Sequence, residues 1–210
     1  CNPPWPDSPS SQHLQEAACD LLYAPAPDAI YGPGFATTVS VAGVSAPLDG
    51  LARPHFFGGV ATVVTKLLIQ CGPNVAVFGE KDYQQLQVIK RLVTDLDLPV
   101  AILGAPTARA DDGLALSSRN AYLSDAQRQV AGQLNRIMAT AAEAVGAGGA
   151  ISDAEATGLA ALKAAGFDEV DYFEFRDATC LRRLGPGPSD GEPRLFAAAW
   201  LGKTRLIDNR

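Results

Sequence analysis

Two short apolar runs, set one helix apart, constrain this chain more than any other feature. Val75 to Phe78 reads VAVF, and Val100 to Ala105 reads VAILGA. Each is bounded by Gly or Pro, which predicts two buried strands. Between them Leu86, Ile89, Leu92, Val93 and Leu96 recur at helical spacing and form an apolar stripe. Asp82 and Gln85 have the spacing of a capping box, which starts that helix at Tyr83, and Pro99 marks its end. A preceding helix is expected over Val60 to Gln70, with Val60, Val63, Val64, Leu67 and Leu68 on one face and Gly72 and Pro73 as its stop. Asp20 to Ala24 reads as an earlier strand. Strand, helix, strand, helix, strand predicts a parallel sheet with crossover helices. In such sheets ligands bind beyond the carboxyl ends of the strands.

Both candidate ligand loops fall on that edge. After the first run comes Gly79-Glu80-Lys81-Asp82, on a strand-to-helix turn. Gly79 lets backbone approach a ligand, and the helix start with Lys81 beside it suits an anion such as phosphate. The plain reading of this stretch alone, a charged turn before a capped helix, is equally good. After the second run comes Gly113 to Asn120, GLALSSRN. Its two hydroxyls and an Arg make a compact donor set for phosphate oxygens.

The two stretches together, FGEKDYQQ over Phe78–Gln85 and then Pro106, Thr107, Arg109, Asp112 and Gly113–Ser124, closely resemble the pantothenate synthetases, the pantoate–β-alanine ligase family. The likeness runs from about Glu16 to Arg210. It implies an α/β fold: a Rossmann-like parallel-sheet domain binding nucleotide and pantoate, over residues 1–108, and a smaller α+β domain over residues 109–210. It also implies attack of the pantoate carboxylate on ATP to give pantoyl adenylate, then attack of β-alanine to give pantothenate and AMP. Magnesium accompanies the ATP, and the enzyme is a cytoplasmic homodimer. Carried over by motif, the ATP contacts are Gly79, Glu80, Lys81, Asp82, Ala108 through its backbone, Leu116, Ser117, Ser118 and Arg119. Lys81, Ser117, Ser118 and Arg119 steady the phosphates during catalysis, and Gln85 holds pantoate. No metal-ligating residue is carried over.

The second half of the sequence reads independently as α+β. Ser124 with Gln127 opens a long Ala-rich helix to about Val145, and Ser152 with Glu155 caps another that ends at Gly166. Three strand-like runs follow, Val170 to Arg176, Leu195 to Trp200 and Thr204 to Asp208. The domain boundary is expected near Thr107 to Gly113.

Composition excludes some classes. The 210 residues are 47% hydrophobic and carry a net charge of −6, which argues against nonspecific nucleic-acid binding. Lys81, Arg109 and Arg119 could still form a local cationic cluster. Cys1, Cys19, Cys71 and Cys180 show no metal-ligand spacing and read as free thiols of a reducing cytoplasm. No run is long enough to span a membrane.

Three features depart from the resembling family. Asn2 and Pro3 are followed by Trp5 where the family places a pantoate-holding Gln. His55 fills a variable place in RPHFF, and Phe56 stands where the family has His. His-x-Gly-His, which grips the triphosphate in the family, does not occur. The expectation is therefore a ligase chain without its amino-terminal segment, inactive as it stands. A non-catalytic ATP- or pantoate-binding or assembly module and a related nucleotidyltransferase are the competing readings.

Overall fold

The computed structural model describes residues 9–210, and Asn2, Pro3 and Trp5 lie outside the described residues. The chain divides into two compact units, the first ending at Thr37 and the second spanning Thr38–Arg210. In the first, helix α1 (Pro9–Glu16) is followed by α2 (Pro27–Ile30), one turn opened by Pro at its start. Asp20 to Ala24 does not form the expected strand. Tyr31 and Phe35 pack edge to face, with ring centres 5.2 Å apart.

The second unit begins with a loop and the short helix α3 (Asp49–Ala52), followed by α4 (Phe56–Cys71). The latter starts four residues earlier than its apolar periodicity indicates, because Phe57 is buried and extends the packed face. Strand β1 (Val75–Gly79), a 3-10 turn (Glu80–Asp82), α5 (Tyr83–Asp95) and β2 (Ala101–Ala105) then form a strand–helix–strand unit. The two strands are parallel, and Gly79 pairs with Ala105. The loops that follow them therefore leave from one edge, as the sequence indicates. Leu68, Ile89, Leu92 and Val93 pack on Ala76, Phe78 and Ile102 on one sheet face. The strands are not buried on both faces as expected. Val75, Val77 and Leu103 on the other face are 49%, 62% and 52% exposed.

The expected capping box at Asp82 is also absent. The α5 helix does start at Tyr83, but Asp82 makes no side-chain cap bond, because the 3-10 turn feeds directly into the first helical turn. Ser124 and Gln127 do form a capping box on α6 (Asp125–Ala131). The single long helix expected there is instead split into α6 and α7 (Gln133–Gly146) at Gly132. A Cβ on Gly132 would lie 2.4 Å from Asp112 Oδ2, so the bare backbone admits the Asp112 carboxylate, which holds Arg128.

Helix α8 (Ile151–Ala165) starts at Ala150 and not at a Ser152 cap, since Glu155 is drawn away by the Phe175 N–H and by Arg183. Strands β3 (Glu169–Asp177), β4 (Pro193–Leu201) and β5 (Thr204–Asn209) form an antiparallel sheet in that order. Leu134, Met138 and Leu162 from the helices meet Phe173, Phe175 and Leu195 from the sheet in the largest core. Each fully buried side chain of this kind contributes roughly 1.5–3 kcal/mol. Among the described residues no helix is long and apolar enough to cross a membrane, and Cys19, Cys71 and Cys180 are free thiols.

Candidate functional site

The shared edge of β1 and β2 sets the site. Glu80, Lys81 and Asp82 occupy the 3-10 turn after β1. Gly104 on β2 leaves room for the Glu80 carboxylate, since a Cβ there would lie 2.8 Å from Glu80 Oε1. After β2 the chain makes a narrow hairpin. Arg109 pairs with Ala115, the Ala110 N–H donates to Leu114 O, and the Leu116 N–H donates to Ala108 O at 2.8 Å. Ala108 and Leu116, far apart in the motif, are thus side by side. Ser117 then caps a 3-10 turn, its hydroxyl accepting from the Arg119 N–H.

Strand β5 fastens both loops through two consecutive residues. Asp208 accepts both Nη atoms of Arg109, at 2.6 and 2.9 Å, while Arg109 also donates to Gly113 O. The Asp208 hydrogen bonds hold the Arg109 guanidinium above its ordinary pKa, outweighing burial. Arg109 is therefore committed to Asp208 and is not part of a free cationic cluster. Asn209 donates through Nδ2 to Glu80 O at 2.9 Å and Lys81 O at 3.0 Å. Its Oδ1 accepts from Arg194 Nε, and the Arg194 guanidinium lies 3.8 Å over the Tyr83 ring.

Five of the candidate residues line three neighbouring recesses, and Ser118 lines none of the three. Lys81 and Ser117 line one, with Asn120 and Asp208. Lys81, Asp82 and Gln85 line a second. Arg119 lines a third, a cleft of about 1020 Å³ that also takes in Arg53, Lys203, Arg205 and Trp200. Arg205 lines both the first and the third. Gly79, Asp82, Ala108, Leu116, Ser118 and Arg119 are exposed. The side chains of Lys81, Gln85, Ser118 and Arg119 make no hydrogen bond or ion pair among the described residues. With no cap at Asp82, Gln85 is not occupied as a capping partner.

His55 is exposed before α4 and caps nothing. Its neighbour Arg53 stacks 4.1 Å over Phe56 and pairs with Asp49 at 2.7 Å. Gln84, beside Gln85, is buried and structural. Its amide reaches Val44 O and Pro47 O, and its Oε1 accepts from the Asp49 N–H.

Sequence reasoning missed Asp208, Asn209 and Arg194. One signal was present, two polar residues closing the strand after Leu206 and Ile207, but the loops they hold lie 99 to 129 positions away.

The family model for pantoate-beta-alanine ligase matches residues 8–210. The chain belongs to that family. It is 61% identical over 207 residues to the pantothenate synthetase of Caulobacter vibrioides, covering 98% of this chain and 73% of that protein. It is 54% identical to the pantothenate synthetase of Maricaulis maris, covering 95% and 69%. The pantothenate synthetase structure from Thermus thermophilus superposes with a TM-score of 0.90 at 42% identity, covering 99% of this chain and 75% of that one. The pantoate-beta-alanine ligase of Francisella tularensis, complexed with beta-gamma ATP and beta-alanine, gives a TM-score of 0.74 at 32% identity, covering 95% and 67%.

Proposed function

We propose that this chain serves the ATP-dependent ligation of pantoate and β-alanine, and that the reaction runs through pantoyl adenylate. A pantoate carboxylate oxygen bonds to the α-phosphorus, the bond to the bridging β-phosphate oxygen breaks, and pyrophosphate leaves. The β-alanine amine then bonds to the acyl carbon. The bond to the AMP oxygen breaks, AMP leaves and the amine loses a proton. Catalysis here is positioning and charge neutralisation. The observation that carries the reading is the convergence of Lys81 and Ser117 on one recess while Gln85, one turn into α5, lines the next.

Lys81, Ser117, Ser118 and Arg119 take the phosphate oxygens, and Gly79, Glu80, Asp82, Ala108 and Leu116 frame the nucleotide. Gln85 can donate to the pantoate carboxylate or accept from a hydroxyl. Among the described residues no three His, Cys, Asp or Glu side chains cluster as a metal site. Magnesium enters this reading as part of the substrate, on the ATP phosphates. The same reading includes a division into residues 1–108 and 109–210, a homodimer and a cytoplasmic setting.

The test uses pantoate labelled with oxygen-18 in its carboxylate, with ATP, β-alanine and a high concentration of the chain. Adenylate chemistry delivers one label to AMP, read by mass spectrometry. ADP as the nucleotide product, or unlabelled AMP, would overturn the route. ATP bound without any product would favour a binding module.

A further inference from the structure

We infer that Asp208 and Asn209 are positioning residues that hold the two phosphate loops in a fixed relation. The inference rests on the ligase reading for the meaning of those loops, and on geometry for the rest. Consecutive side chains on a strand point to opposite sides. At the end of β5 this places Asp208 toward the hairpin after β2 and Asn209 toward the turn after β1. One strand end thus clasps two loops that belong to a different sheet.

Both residues are only 4% exposed, and every polar atom of their side chains has a partner. The Asn209 amide spends both hydrogens on Glu80 O and Lys81 O, and its oxygen accepts from Arg194. The Asn209 N–H donates to Asp208 Oδ1, which couples the two clasps directly. Among the described residues the Lys81 side chain makes no hydrogen bond or ion pair, so the carbonyl held by Asn209 sets where its ammonium starts. Ser117 lies eight residues beyond Arg109, on the hairpin that Asp208 pins. A change at either clasp moves one half of the donor set relative to the other.

The test is Asn209→Asp, which keeps shape and the acceptor for Arg194 but removes both donations and sets a carboxylate against two carbonyl oxygens. Backbone nitrogen-15 relaxation on the 210-residue chain reads the turn without any ligand. Order parameters at Glu80–Asp82 should fall from about 0.85 to below about 0.6 while Phe173 and Ala197 hold. ATP affinity by calorimetry should fall about tenfold, the scale of lost hydrogen bonds. Asn209→Ser, which retains one donor, should lie between, and it serves where the Asp variant does not fold. Equal loosening of the turn and the β3–β4 core would show a merely structural residue and overturn the inference. So would a loosened turn with unchanged ATP affinity. If the unsubstituted chain binds no ATP, the ligase reading fails, and relaxation alone decides whether the clasp exists.

Discussion

Arg205 reaches Asp49 across 156 positions of sequence, with its Nη2 2.7 Å from Asp49 Oδ1. The same carboxylate accepts from Tyr172 at 3.1 Å and pairs with Arg53 at 2.7 Å. Arg205 also holds Asp171 at 2.6 Å. One carboxylate therefore ties the short helix α3 to strands β3 and β5. Burial alone would raise the Asp49 pKa, but Arg205, Arg53 and Tyr172 together hold it below the usual range.

Removing that carboxylate should destabilise the fold markedly. Asp49→Ala leaves Arg205 buried with one partner fewer, and urea unfolding at neutral pH should show a loss of about 3 kcal/mol. The sign with pH follows from the lowered value. The contribution is present above the unfolded pKa of about 3.9 and is lost as pH falls through the folded one. The stability gap between the parent and Asp49→Ala should narrow below about pH 4. A gap that persists into strong acid would mean that the carboxylate is not the source.

Tyr172 gives a signal at the other end of the scale. Burial first, then the negative charge of Asp49, push its phenol well above the ordinary tyrosine value. Of the five tyrosines, it should ionise last in an absorbance titration at alkaline pH. Because its folded pKa is raised, its contribution is complete below about pH 10 and lost as pH rises further. Tyr172→Phe should delete the late component. An unchanged titration curve would place Tyr172 among the ordinary phenols.

Much of the local framework was legible because its causes are local. Periodicity and terminal Gly or Pro fixed α4, α5, β1 and β2 to within a few residues, and the Ser124–Gln127 box was read correctly. The errors share another cause, which is tertiary competition. Glu155 had the spacing of a cap partner, but a β3 N–H and Arg183 take it instead. Asp20 to Ala24 had strand composition but no strand pairs with it among the described residues. The apolar content of VAVF suggested burial on both faces, yet alternate residues are exposed. For the site, the loop residues stood out by their type and order. Asp208 and Asn209 did not, because nothing local links a strand end to loops so distant in sequence.

Lys81→Ala and Arg119→Ala should each weaken ATP binding by roughly 1–3 kcal/mol, the scale for hydrogen bonds to charged groups. The two side chains line different recesses but share the phosphates as partner, so the double variant measures the coupling between them. Calorimetry on the three variants measures this. Unchanged affinity in both single variants would remove the proposed phosphate site.

Gln85→Ala should weaken pantoate binding much more than ATP binding, and the melting temperature should change little. The second half of this expectation follows from the missing cap, since the α5 start does not depend on Gln85. Pantoate titrations with and without ATP, alongside thermal melts, separate the two roles. A large fall in melting temperature with pantoate affinity intact would assign Gln85 to the helix.

The 210-residue chain should associate in solution. Its β1–β2 pair presents Val75, Val77 and Leu103 to solvent on one face. An exposed apolar face, beside strand edges with no partner among the described residues, favours self-association. Light scattering should show mass rising with concentration, and Val77→Glu with Leu103→Glu should reduce it. Pyrophosphate release with ATP, pantoate and β-alanine should be equal in both forms, because the substitutions lie on the strand face and not in the phosphate loops. A monodisperse monomer at every concentration would show that the exposed face is tolerated.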